Sequence, residues 1–117
     1  MNCQPPVSKP GPFDADDRKL IAERLSALAH PARIEIIQHL AERAACCNKD
    51  VVSRMNLAQS TVSQHLKVLL AAGLIRYTPE RQRSMYSLDR DALAGVSGAL
   101  GSLVDCCCAA PSGRASG

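Results

Sequence analysis

Apolar residues recur along this chain at two different spacings. Up to about position 72 they fall three and four apart, the period that lays a single stripe along a helix. Leu20, Ile21, Leu25 and Leu28 form one such stripe, and Ile34, Ile37 and Leu40 a second. Val51, Val52 and Met55 make a shorter third, and Val62, Leu66 and Leu69 a fourth. The residues between the stripes suit helix ends. Asp14 is placed to cap a first helix reaching about Ala29, with acidic residues in its first turn, where the helix dipole favours them. Pro31 suits the first position of a second helix reaching about Ala44. Asn48 is placed to cap the third helix, Asn56–Leu57 makes a turn, and the fourth helix spans Gln59 to Ala72 with Gly73 as its stop. Beyond Gly73 the pattern changes. Leu74–Tyr77 and Ser84–Leu88 read as two strands, with Pro79–Arg83 turning between them. A last helix starts near Asp89, its capping residue, with Leu93, Val96, Leu100 and Leu103 again at three-four spacing. Gly95, Gly98 and Gly101 weaken it by about 1 kcal/mol each relative to alanine, a cost that close approach of another helix would offset.

This order predicts a mainly α fold with a small β-hairpin. Two short helices joined by a tight turn and followed by a hairpin make a winged helix-turn-helix, whose second helix lies in the DNA major groove. Residues 1–13 hold four prolines and read as a flexible arm, residues 14–108 as the folded domain, and residues 109–117 as a disordered tail. On the fourth helix the outward set is Gln59, Ser60, Thr61, Ser63, Gln64, His65 and Lys67. Gln pairs bidentately with adenine, a contact worth about 1–3 kcal/mol of discrimination. Lys67 suits a phosphate. Arg81 and Arg83, at the hairpin tip, are placed to reach the DNA backbone or minor groove.

Charge sharpens this picture only through its distribution. The formal net charge is +3. Six basic residues face two acidic ones between Val51 and Arg90, whereas the rest of the chain carries eight and nine. The basic surplus therefore coincides with the helix-turn-helix and hairpin. With 117 residues, no tryptophan and one phenylalanine, the chain suits one domain of closely packed small helices. No run reaches the roughly 18–20 apolar residues of a membrane span, and the N-terminus lacks the apolar stretch of a secretory signal, so a cytoplasmic protein is expected. A redox Cys-x-x-Cys and a phosphate-cradling glycine loop are missing, which argues against an enzyme.

The six cysteines are Cys3, the pair Cys46–Cys47 and the run Cys106–Cys107–Cys108. In a reducing compartment such clusters point to soft-ion binding or redox sensing rather than a disulfide framework. Trivalent arsenic and antimony take up to three thiolates. Zinc prefers four ligands, often including His, and the last helix holds no histidine.

The segments ALAHPARIEIIQHL (residues 27–40) and LAQSTVSQHLKVLLAAGLI (57–75) resemble the ArsR/SmtB family of metal-responsive repressors, over roughly Leu20 to Val104. The resemblance implies a homodimer formed through the first and last helices. Such a dimer reads double-stranded operator DNA as an inverted repeat. Ala58 departs from the pattern: relatives often carry Ser there, where it would cap the recognition helix. Arsenic-responsive relatives often carry a Cys-x-Cys pair at the start of the helix-turn-helix. Here Cys47 takes the first position and Lys49 the second, so that site is broken. Other relatives place the site at the end of the dimer helix, around a vicinal cysteine pair, and LVDCCCAAP resembles that arrangement. Cys106, Cys107 and Cys108 are then the expected ligands. Cys46, Cys47 or Cys3 could complete or duplicate the site, and arsenite, antimonite or methylarsenite is the expected effector. Consecutive residues on a helix point about 100° apart, so three sulfurs on one ion need the helix end to fray, as Gly101 and Pro111 suggest. A persulfide or redox sensor of the same fold is the alternative.

Overall fold

The computed structural model describes residues 13–108. Helix α1 (Ala15–Leu28) starts where the acidic cluster predicts. The Asp14 side chain accepts from the Asp17 backbone N–H at 2.8 Å, and the Asp14 N–H donates back to the Asp17 carboxylate at 3.3 Å. This reciprocal box satisfies two amide groups that a helix start leaves free. Helix α2 (Pro31–Ala41) has Pro31 in its first turn and ends three residues earlier than the spacing suggested.

The chain then does something the pattern did not show. Cys46 and Cys47 form a two-residue strand, β1, that runs directly into α3 (Asn48–Arg54). Cys47 therefore occupies the cap position expected for Asn48, and it makes no side-chain capping bond. Helix α4 (Gln59–Ala71) follows, then β2 (Ile75–Glu80), β3 (Arg83–Leu88) and α5 (Arg90–Cys108). The strands form one antiparallel sheet in the order β1-β3-β2. β2 and β3 pair from Ile75↔Leu88 to Glu80↔Arg83, and Cys46 and Cys47 sit opposite Tyr86 and Met85. Pro79 and Arg83, expected in the turn, thus belong to the strands, and only Arg81 and Gln82 turn the hairpin.

The turn after α4 is a Schellman motif. The Leu74 N–H reaches back to the Leu69 carbonyl at 3.1 Å and the Gly73 N–H to the Leu70 carbonyl at 3.0 Å. Gly73 has φ +78, and a Cβ added there would stand 3.3 Å from the Arg24 guanidinium. The core sits where α2 and α4 meet the sheet root: Ile36, Leu40, Val62, Leu66, Leu69 and Leu74 are fully buried. Asp89 starts α5 as predicted, accepting from the Ala92 N–H at 3.0 Å. The helix, expected to fray at its cysteine end, is continuous through Gly101 to Cys108, the last described residue.

Candidate nucleic-acid interface and thiol sites

Helix α4 separates its residues by face. Val62, Leu66 and Leu69 are buried, whereas Gln59, Ser60, Thr61, Gln64 and Lys67 are exposed and Ser63 is half-buried. A helix held by one apolar stripe presents the opposite polar set as a unit, so six of the seven predicted contact residues share an accessible surface. His65 does not. It is 9% exposed and turned inward, where its Nδ1 accepts from Arg33 Nε at 3.2 Å. The outward placement expected for it is corrected by its position between Val62, Leu66 and Leu69 on the buried stripe. Burial, then His30 and Arg33, holds its pKa below the usual 6.5.

The start of α4 has no side-chain cap. Ala58 has the extended backbone of a cap residue, φ −65 and ψ 151, but no acceptor to offer. The hairpin places Arg81 and Arg83 in exposed positions at its tip. Arg81 has φ 51, an unusual conformation for a side chain with a Cβ. Lower down, the Tyr77 and Tyr86 rings meet across the strands in a tilted arrangement, 5.5 Å between centroids and 51° between planes, and Ser84 Oγ donates to the Tyr77 hydroxyl at 3.4 Å.

Three residues tie this unit to its frame; Asp89 was legible as a cap, but its partner Arg76 and the roles of Arg24 and Arg33 were not. Arg24 on α1 donates through Nε to the Ala72 carbonyl at 3.2 Å, holding the end of α4. Arg33 on α2 reaches both α4 and the last carbonyls of α1. Asp89 caps α5 and pairs with Arg76 of β2 at 3.4 Å. The Ala92 N–H first and Arg76 next keep the Asp89 carboxyl below its usual range. The sequence signal for Arg33 was its place beside His30 and Pro31, but its partner is 32 residues away.

The thiols separate into two environments. Cys46 and Cys47 are buried against the wing, and burial pushes the Cys46 pKa up. A buried protonated thiol is a poor ligand. Cys107 and Cys108 are free and exposed at the end of α5, whereas Cys106 is half-buried and disulfide-bonded. Among the described residues no group of three or more Cys, His, Asp or Glu side chains converges on a point that could hold a metal. The two thiol clusters therefore form no joint site within the described chain. Cys3 lies outside the described residues.

Helix α5 buries Ala92 and Val96 but leaves Leu100, Leu103 and Val104 exposed, and Leu20 on α1 is exposed as well. A Cβ at Gly95, Gly98 or Gly101 would meet nothing within 4 Å. The close approach that would offset these glycines is therefore not made inside the described chain. α5 is also long and apolar enough, on length and composition, to cross a membrane. No such segment was expected, because no unbroken run of about 18–20 apolar residues occurs; α5 qualifies through its average hydropathy, not through an unbroken apolar run.

The family described as bacterial regulatory protein, arsR family, matches residues 30–77. This stretch runs from the start of α2 into the first strand of the wing. The chain is 34% identical over 87 residues to the HTH-type transcriptional repressor SmtB of Mycobacterium tuberculosis (strain ATCC 25618 / H37Rv), a match covering 74% of this chain and 64% of that protein. It is also 34% identical over 74 residues to the arsenical resistance operon repressor of Bacillus subtilis (strain 168), covering 63% of this chain and 70% of that one. Among solved structures, an ArsR-like transcriptional regulator from Rhodococcus sp. RHA1 superposes with a TM-score of 0.70 at 19% identity, over 76% of this chain and 83% of that chain. This likeness concerns the fold.

Proposed function

Because the chain belongs to the ArsR family of bacterial regulatory proteins, we propose that it is a cytoplasmic, dimeric repressor that leaves its operator when trivalent arsenic or antimony binds its C-terminal thiols. The observation that carries the DNA-binding part is the division of α4: its apolar residues are buried while Gln59, Ser60, Thr61, Gln64 and Lys67 stand exposed beside the basic wing. Glutamines and hydroxyls at that surface suit base edges, and Lys67, Arg81 and Arg83 suit phosphates. The exposed apolar residues of α1 and α5, with three glycines facing open space, suit a second copy packed on the same helices. In a two-fold dimer the two α4 helices read half-sites of an inverted repeat, about 34–36 Å apart or a multiple of it. The membrane-like length of α5 fits this reading too, since a helix buried between two subunits is apolar.

Cys107 and Cys108 are the accessible soft ligands, and two sulfurs suffice for methylarsenite. Arsenite or antimonite takes a third sulfur. Cys106 supplies it once its disulfide is reduced and the last helical turn opens, because three successive helical residues do not share a face. Cys46 and Cys47 are a weaker second location. The B. subtilis relative is an arsenical resistance operon repressor, which supports this class of effector. Drawing the end of α5 around an ion changes the angle between subunits, and the two reading helices then miss successive grooves. Coupling of this kind is typically about 1–3 kcal/mol, or about 5–150-fold in affinity.

The test is a DNA-binding titration with reductant present, against arsenite, antimonite, methylarsenite, zinc and cadmium. Release by the pnictogens and its loss in the triple variant Cys106→Ser, Cys107→Ser and Cys108→Ser is the expected result. A triple variant released as readily as the parent excludes the C-terminal site. The disulfide at Cys106 favours one second reading, a thiol-redox sensor of the same fold. It does not involve Cys46 or Cys47, both of which are free. Release by persulfide or oxidant but not by arsenite would select that reading.

A further inference from the structure

One polar cluster lies behind the proposed reading surface. Arg33 Nε donates to His65 Nδ1 at 3.2 Å, and Arg33 Nη1 donates to the carbonyls of Ser26 and Ala27 at 3.3 Å each. His30 Nδ1 accepts from the Ala32 N–H at 3.1 Å, and the His30 and His65 rings stand 4.4 Å apart. A single guanidinium thus joins the last carbonyls of α1, the first turn of α2 and the middle of α4. The join exists in only one protonation state. An imidazole nitrogen accepts a hydrogen bond only when it carries no proton, so the bond requires neutral His65 with its proton on Nε2. Protonation turns the acceptor into a donor aimed at another donor, and sets a cation beside Arg33 in a site with little water.

We propose that Arg33 and His65 are positioning residues for DNA reading: their bond holds α4 against the α1–α2 frame, and protonation of His65 releases α4 and weakens DNA binding. The proposal rests on α4 being the reading helix. His65 follows Gln64 directly and lies one turn from Thr61, so a shift of its ring moves side chains on the reading surface. The charges acting on His65 are His30 and Arg33, both at the start of α2. Charges on the other elements packed against α4 are engaged elsewhere or lie apart. Arg24 of α1 holds the Ala72 carbonyl, Lys19 and Glu23 of α1 line a cleft with Val68, Ala71 and Ala72 toward the end of α4, Arg54 of α3 pairs with Glu42, and Arg76 of β2 pairs with Asp89. Lys49 and Asp50 of α3 line a cleft with Gln59, at the far end of α4, and Glu80 stands at the wing tip. Burial and the two neighbouring bases make His65 harder to protonate, so the loss sets in on the acid side of 6.5.

The experiment measures affinity between about pH 7.5 and 5, using the duplex that the wild-type protein selects from a random-sequence pool at the upper pH. Circular dichroism at each pH confirms that the fold is kept. The expected result is a loss of about tenfold at the acid end. Its sign is diagnostic, because general protonation makes a protein more cationic and tightens phosphate binding as pH falls. His65→Asn offers an uncharged oxygen acceptor near the Nδ1 position and is expected to abolish the acid loss, leaving affinity constant or rising toward acid. The wild-type protein supplies an independent measurement that needs no variant. Linkage requires His65 to titrate at lower pH in the DNA complex than in the free protein, read from its ring resonances. Equal titration in the two states, or an affinity constant or rising toward acid, overturns the proposal while leaving DNA reading intact. Failure to select any duplex at the upper pH overturns the DNA-reading proposal, and this one with it.

Discussion

Replacing Ala58 by serine isolates one local interaction at the start of α4. The backbone at position 58 already has the extended conformation of a cap residue, φ −65 and ψ 151. Its carbonyl already accepts the first helical bond, from the Val62 N–H at 3.0 Å. Only the side-chain acceptor is missing, so the N–H groups of Ser60 and Thr61 have no cap to receive them. Position 58 is exposed, and adding a hydroxyl disturbs no packing. A serine cap in place of alanine is worth about 1 kcal/mol, within about 0.5–2. For a domain of this size that raises the melting temperature by about 4–8 °C. The assay is reversible thermal or urea unfolding of wild type, Ala58→Ser and Ala58→Val under reductant at one protein concentration. Valine adds similar bulk without an acceptor and is expected to give no gain. If serine gives no increase in stability, or valine gives the same increase, the account of α4 as an uncapped helix is wrong.

Two further perturbations follow from the wing. Arg81→Gly relieves the positive φ at the hairpin tip, where a side chain costs about 1–2 kcal/mol, while removing a cation. Stability is expected to hold or rise, and the salt dependence of DNA affinity to fall by about 0.9 per lost phosphate contact; an unchanged slope would place Arg81 away from the DNA. Asp89→Ala removes both the α5 cap and the partner of Arg76, and is expected to destabilise the domain at neutral pH. Because the folded Asp89 pKa lies below its ordinary 3.8, its contribution is present above that value and fades as pH falls through the folded pKa. Stability curves of parent and variant should therefore converge in strong acid, and curves that stay parallel would show that its charge is not what acts.

Local rules written in consecutive residues fixed most of the element order. The stripes at 20–28, 34–40, 62–69 and 93–103, the Asp14 box, Pro31, Gly73 and the Asp89 cap each depend on neighbours within a few positions. Helix geometry alone converts such spacing into a face and a boundary, although in α2 the expected stripe was off by its first member: Ile34 is exposed and Ile36 is buried with Leu40. Helix geometry is also why six of the seven residues expected on the outer face of α4 lie outside its buried stripe. His65 was misplaced because a polar type on a helix suggests solvent, whereas an acceptor for Arg33 lets it stay inside. Only folding brings positions 33 and 65 together. The strand at Cys46–Cys47 was invisible for a related reason: two residues carry no period, and their strand exists only because Tyr86 and Met85 arrive beside them. The same pairing decided the fate of the thiols, burying one pair beneath the wing while the end of α5 left Cys107 and Cys108 in water. Chain-local chemistry sets which elements form, and long-range contact sets which polar groups and sulfurs those elements hide, because burial depends on what lies opposite rather than on what lies next in sequence.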